Sequence, residues 1–270
     1  MNFSAREFWT DGWREASLMP NDEGLRQCDC GQYLVESSLA HIATVESSDL
    51  GHLLRVAPSD LEHCIATTTD EDVEVAARLE YWRHLNHPYR QKYRLHRDKE
   101  EAQTRARWEA SRVATRKFWE RLLRTPIPRY ERPDDAPFTY PPYEPTVSQM
   151  RNMERLSQIL SRRTAQRQGD YAWVLAELYR EMGRAFHDRA EAMLLTCNTV
   201  HREHPRLYQV LRNLIEEGES APMRYHGRCH CTSFHSIDDF HGLKYAQRRP
   251  FQCIPIKTSP PLCMWAMKSR

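Results

Sequence analysis

The chain has 270 residues, 40% of them hydrophobic and 28% charged, with a formal net charge of +2. That balance excludes a disordered chain, and the length allows one large domain or two small ones with real cores. No stretch nears the roughly 20 apolar residues that span a bilayer, and residues 1–13 carry Glu7 and Asp11 where a secretory signal has an apolar core. The expectation is a cytoplasmic protein with no membrane segment. Its eight cysteines are then thiols or metal ligands rather than disulfides.

The small net charge conceals segregation. Residues 1–82 carry 5 basic and 16 acidic side chains, and residues 83–132 carry 15 and 6. Residues 133–220 hold 11 and 13, and residues 221–270 hold 8 and 2. Opposite blocks adjacent in sequence are expected to neutralise one another inside the fold.

Residues 1–57 predict a small β-containing, thiol-bearing unit. Asp11-Gly12 marks a tight turn, and Cys30-Gly31 precedes a short strand over 32–35. Residues 58–124 read as helical. Ser59 is expected to cap a short helix reaching Cys64, with Glu62 completing a capping box. A second helix begins near Asp70, with acids in its first turn and Val73, Val75, Ala76, Leu79 and Trp82 as its buried stripe. Asn86-His87-Pro88 ends it, and a long basic helix follows over about 89–124. That helix either breaks near Arg97 or projects a polar middle into solvent.

Seven prolines between 125 and 145 exclude both a helix and a central strand there. Tyr130, Tyr140 and Tyr143 make this connection a surface belt rather than a bare tether. In 146–220, Thr146 caps a helix to about 163 whose apolar face is Met150, Met153, Leu156, Ile159 and Leu160. A helix–glycine–helix unit occupies 171–193, and an amphipathic helix runs over 205–217. Residues 221–270 form an irregular tail rich in cysteine and histidine. The fold class is mainly α, built of helical hairpins, with strand confined to residues before 57.

The 171–193 stretch resembles a tetratricopeptide-type hairpin through its small and large apolar residues, Gly183 at the turn, Phe186 and Ala190. It has one extra residue between the glycine and the alanine, and one such unit is readable. A wider pattern comprises Trp9-Thr10-Asp11-Gly12, the Cys28-Asp29-Cys30-Gly31 knuckle, Trp82 with Asn86, and Ala176 to Gly183. It is similar to a group of uncharacterised bacterial proteins over about 8–195. Their knuckle has two residues between the cysteines where this chain has one. The resemblance implies a fold plan and no activity.

Zinc takes about four thiolate or imidazole ligands. Cys28 and Cys30 offer one chelating pair, while Cys229, Cys231, His235 and His241 could close a site locally in the tail. Buried thiols and surface histidines are the plainer alternative. Cys197 and His201, four apart, could form a thiolate–imidazole pair, although cysteines in such helices are more often small core residues. Phosphate loops, the G-x-S-x-G elbow and H-E-x-x-H are absent from the sequence. The basic helix 89–124, with Tyr89, Tyr93, Trp108 and Trp119, could track a nucleic-acid backbone. The leading expectation is a non-enzymatic adaptor that binds another protein. A nucleic-acid-binding protein is the first alternative and a zinc-dependent enzyme the second.

Overall fold

The computed structural model describes residues 7–15, 23–39, 51–115, 130, 140–166, 171–197, 202, 204–225, 251–255 and 263–267. The chain divides into two compact units, 1–85 with 144–270, and 86–143. The described residues are mainly helical, with antiparallel sheet at the N-terminal end.

In the larger unit the N-terminal strands are β1 (Glu7–Trp9), β2 (Arg14–Glu15), β3 (Leu25–Cys28), β4 (Tyr33–Val35) and β5 (Gly51–Arg55). Its helices are α1 (Leu61–Thr67), α2 (Glu71–Leu85), α4 (Val147–Ala165), α5 (Ala172–Glu181), α6 (His187–Thr196) and α7 (Pro205–Glu217). Three later strands, β6 (Arg224–Tyr225), β7 (Phe251–Pro255) and β8 (Cys263–Met267), complete it. The sheets run β2-β1-β6 and β4-β3-β5-β7-β8. Strand is therefore not confined to residues before 57. Phe8 pairs with Tyr225, and Gly51 with Cys253, so segments more than 200 residues apart close the sheets. The tail supplies edge strands because β1 and β5 each leave backbone donors that only another strand can satisfy.

The cap of α1 also differs from expectation. Pro58 opens a short 3-10 turn to Asp60, and the N-terminus of α1 has no side-chain cap. Ser59 Oγ bonds Asp60 at 3.2 Å, and Glu62 accepts from the Tyr81 hydroxyl instead of reaching back. Proline's fixed φ favours the tight turn, and the hydroxyl of α2 takes the carboxylate that the box needed. Asp70 does cap α2, accepting from Asp72 N at 2.8 Å and Val73 N at 3.3 Å. Thr146 and Gln149 form a full capping box on α4.

Helix α2 is buried on two sides. Val73, Ala76 and Ala77 pack with Leu25, Val35, Val56, Leu61 and Cys64. Val75, Leu79 and Trp82 join Met153, Leu156, Ile159 and Leu160 of α4 and the apolar residues of α5. Its acidic first turn is neutralised from α4. Arg163 lies 2.8 Å from Glu71 and 2.7 Å from Asp72, Arg162 also pairs with Glu71, and Arg155 meets Glu74 at 3.1 Å. Asn152 donates to Arg78 O at 3.0 Å, and Gln149 to Leu85 O at 3.1 Å.

The array continues through α5 and α6, joined at Gly183, where φ of +109° is open only to glycine at low strain. Helix α7 follows, stopped by a left-handed Gly218. It buries Leu207, Leu211 and Leu214 and presents Gln209, Arg212, Asn213, Glu216 and Glu217 outward.

In the smaller unit α3 (His87–Thr115) is one unbroken helix, about 43 Å long at 1.5 Å per residue. No break occurs at Arg97, and positions such as Leu95, 72% exposed, face solvent. Tyr89 meets Tyr143 with centroids 5.1 Å apart, Tyr93 stacks on Tyr140, and Trp108 meets Tyr130. The tyrosine belt thus lies on α3. Among the described residues no helix is long and apolar enough to cross a membrane.

Candidate functional site

The most polar part of the interior is built on α5. An amphipathic helix keeps charge on its wet face, yet Ala172 to Leu178, Arg180 and Glu181 are all buried. Glu177, Arg180 and Glu181, spaced i, i+3 and i+4, form one stripe inside the protein. Arg180 makes a two-pronged pair with Glu177 at 2.6 and 2.8 Å. It also donates to Glu219 O at 2.7 Å and to Thr10 Oγ1 at 3.4 Å. Burial works against the Arg180 charge, but Glu177 outweighs it and the guanidinium pKa is raised.

The 9–12 turn plugs into this stripe. Trp9, Thr10 and Asp11 are almost wholly buried. Thr10 N donates to Met223 O, and Met223 N donates to Thr10 Oγ1, both at 2.9 Å. Arg83 Nε donates to Asp11 O at 3.1 Å while its guanidinium pairs with Glu23. Trp82 Nε1 donates to Glu181 Oε2 at 2.7 Å. Thr10, Trp82 and the charged residues of α5 therefore meet in space, and their groups hold backbone segments together. They form a structural lock rather than a set of reactive groups presented to a substrate.

His187 sits at the edge of the lock, its Nε2 3.3 Å from both Arg180 O and Ser220 Oγ. A carbonyl only accepts, so Nε2 carries the proton. Burial first, then the nearby Arg180 and Arg184 charges, hold its pKa below the ordinary 6.5, against the opposing carbonyl bonds. Above that ordinary value both folded and unfolded rings are neutral, and His187 contributes no pH dependence. As pH falls through 6.5 the unfolded chain takes a proton that the folded chain refuses, so stability drops. Denaturant midpoints compared above and below pH 6.5 should fall more in the parent protein than in His187→Gln, whose amide can still donate to Arg180 O. Equal falls would mean that His187 does not titrate in this window.

Of the sequence-predicted metal ligands, Cys28 and Cys30 lie at the β3–β4 turn, the first buried and the second exposed. Cys229, Cys231, His235 and His241 lie outside the described residues, as does His201. No group of three or more potential metal ligands occurs among the described residues. Cys197 is buried at the end of α6, which suits a small core residue.

The described residues include two concavities. A cleft of about 290 Å³ lies between the β4 end and helices α2 and α4, but Arg163 and Asp72 on its wall are paired with each other. A narrower groove of about 150 Å³ separates α6 from α7. Leu194, Leu195, Tyr208 and Ile215 give it an apolar lining, with Glu191, Arg212 and Glu216 also lining it. Leu195 is 67% exposed. Periodicity flagged only the inward face of these helices. The available signal was the adjacent Leu194-Leu195 pair, which one helix face cannot bury together.

Comparison with protein-family models, curated proteins and solved structures finds no match to this chain.

Proposed function

We infer that the chain is a non-enzymatic, tetratricopeptide-like helical adaptor that holds a segment of another protein in the α6–α7 groove. The observation that carries this reading is Leu195, exposed beside Leu194, Tyr208 and Ile215 at the groove between α6 and α7. A large exposed aliphatic side chain next to an apolar concavity suits an anchor from a partner. The charge around the groove narrows the partner. Arg212 is held by Glu216 at 2.8 Å, which leaves Glu191 as the acidic excess among the lining residues. The occupant is a peptide segment with one large apolar side chain next to lysine or arginine. The groove has room for one such anchor rather than for a whole helix.

The aromatic residues of α3 favour this over nucleic-acid binding. Tyr89 and Tyr93 are buried, and with Trp108 they are engaged by the chain's own Tyr143, Tyr140 and Tyr130. A base-stacking surface needs its rings open.

Selection of a displayed random-peptide library on the full chain tests the reading. Enriched peptides should pair Leu, Phe or Met with a neighbouring Lys or Arg. Leu195→Asp should weaken them by about 30-fold, the loss of one anchor worth about 2 kcal/mol. Peptides without that pattern, or peptides indifferent to Leu195→Asp, would sink the idea.

A further inference from the structure

The turn between β3 and β4 carries two thiols in an arrangement that the adaptor reading does not use. Cys28 N donates to Gln32 O at 2.9 Å, and Gly31 N donates to Cys28 O at 2.7 Å, closing a tight turn. Gly31 has φ of +86°, which folds the chain back on itself. The fold-back places the backbone N of Cys30 only 3.3 Å from Cys28 Sγ, to which it donates. The second sulfur is three bonds from that nitrogen, through Cα and Cβ, so both thiols belong to the same tight turn. A disulfide needs Cα atoms about 4.4–6.8 Å apart, a span that two residues inside one tight turn meet. The burial of the two differs. Cys30 is exposed, while Cys28 is 4% exposed and packs with Leu34, Leu39 and Leu53. No atom lies within 4 Å of where a Cβ on Gly31 would sit, so the turn has room to rearrange.

We propose that Cys28 and Cys30 are a reversible thiol–disulfide pair, oxidised by small-molecule disulfides and reduced by small-molecule thiols. The exposed Cys30, as its thiolate, attacks one sulfur of the small disulfide. It forms a mixed disulfide and expels the first thiol. Cys28 then gives its proton to solvent and its sulfur attacks Cys30 Sγ, forming the Cys28–Cys30 bond and expelling the second thiol. Two protein thiols lose two electrons together, and one disulfide becomes two thiols, so the step balances. The ring closed by one intervening residue is small and strained, which makes the bond easy to reduce again. Oxidation draws the Cys28 sulfur away from Leu53, its partner in the β3–β5 register, so the state of the pair is communicated to the sheet.

The sequence supplies a clean test. Cleavage after Arg26 and Arg55 gives the peptide 27–55, which contains Cys28 and Cys30 and no other cysteine. The full chain is equilibrated with oxidised and reduced glutathione in varying ratio. Thiols are then alkylated under denaturing conditions and the peptide is weighed. Both alkylation sites should disappear together, leaving a peptide lighter by two hydrogens that reducing agent restores. In Cys28→Ser the reaction should stop at glutathione on Cys30, and in Cys30→Ser no bond should form within this peptide. Glutathione accumulating on Cys30 of the parent chain while Cys28 stays alkylable would overturn the proposal. A bond from Cys28 to a cysteine elsewhere would do the same. So would stoichiometric zinc that shields both thiols and is lost in either variant, since the pair would then be half of a metal site. The parent peptide alone decides, so the test survives a variant that fails to fold.

Discussion

Replacing Arg180 by methionine is expected to remove about 3–5 kcal/mol of folding stability, because it leaves the partner carboxylate uncompensated in the interior. Methionine keeps most of the length of the side chain, so the loss is chiefly electrostatic. Glu177 and Arg180 are both fully buried, and solvent does not screen them. The same change strips donors from Glu219 O and Thr10 Oγ1, which connect α5 to the C-terminal segment and to the 9–12 turn. Domains of this kind have about 5–15 kcal/mol in total, so the variant should lie near the limit of folding. Its denaturant midpoint should fall sharply. The decisive comparison is Glu177→Gln combined with Arg180→Met. If the buried charge is the cause, the double variant should be more stable than Arg180→Met alone, since the Glu177 carboxylate is no longer left uncompensated. A double variant no better than the single would place the cost elsewhere, in packing or in the lost backbone bonds.

This lock shows where sequence reading stops. Periodicity and caps found α2, α4 and α7 because those signals are local. The stripe of α2, the Thr146 cap and the 205–217 bounds of α7 all appear in the fold. Periodicity assumes one dry face, however, and α5 has none that is wet. Glu177, Arg180 and Glu181 are of a type that an amphipathic helix keeps at the surface, yet they are interior, because α4, α6, the 9–12 turn and residues 219–223 surround the helix. The sequence did carry a signal, three charges at i, i+3 and i+4 within an otherwise apolar decapeptide. Its meaning depended on the distant Thr10 and Trp82. The late strands were illegible for a related reason. A two-residue strand such as Arg224–Tyr225 exists only because β1 is there to pair with it.

The −11 of residues 1–82 and the +9 of residues 83–132 suggested neighbours neutralising each other. Arg83 does pair with Glu23. Glu71, Asp72 and Glu74, however, take Arg155, Arg162 and Arg163 from the nearly balanced block beyond the prolines. Ion pairs form within 4 Å, so the packing of α2 on α4 chose these partners. Glu74 shows the result. Burial alone pushes its carboxyl up, but hydrogen bonds from Arg155 and Arg78 prevail and hold it below the usual range. That contribution is present above the ordinary carboxylate pKa and fades as pH falls through the depressed one.

Trp82→Ala should be comparably damaging, at about 3–5 kcal/mol for removal of a buried ring. Trp82 is 1% exposed and stands among Val75, Leu79 and the apolar residues of α4 and α5. Its indole N–H also serves the carboxylate of Glu181, itself fully buried. Trp82→Phe separates the two roles, since it keeps an aromatic ring in place while deleting the donor. Loss of a hydrogen bond to a charged group is worth about 1.5–3 kcal/mol, so the phenylalanine variant should retain only part of the parent's stability. Adding Glu181→Met removes the acceptor as well. Replacing both partners by apolar groups of similar shape is close to neutral where the bond was the main loss. Trp82→Phe with Glu181→Met should therefore regain most of what Trp82→Phe forfeits in urea midpoint. If the double variant is instead weaker than either single, Glu181 holds the fold through contacts other than the indole, and the lock is centred on Arg180 alone.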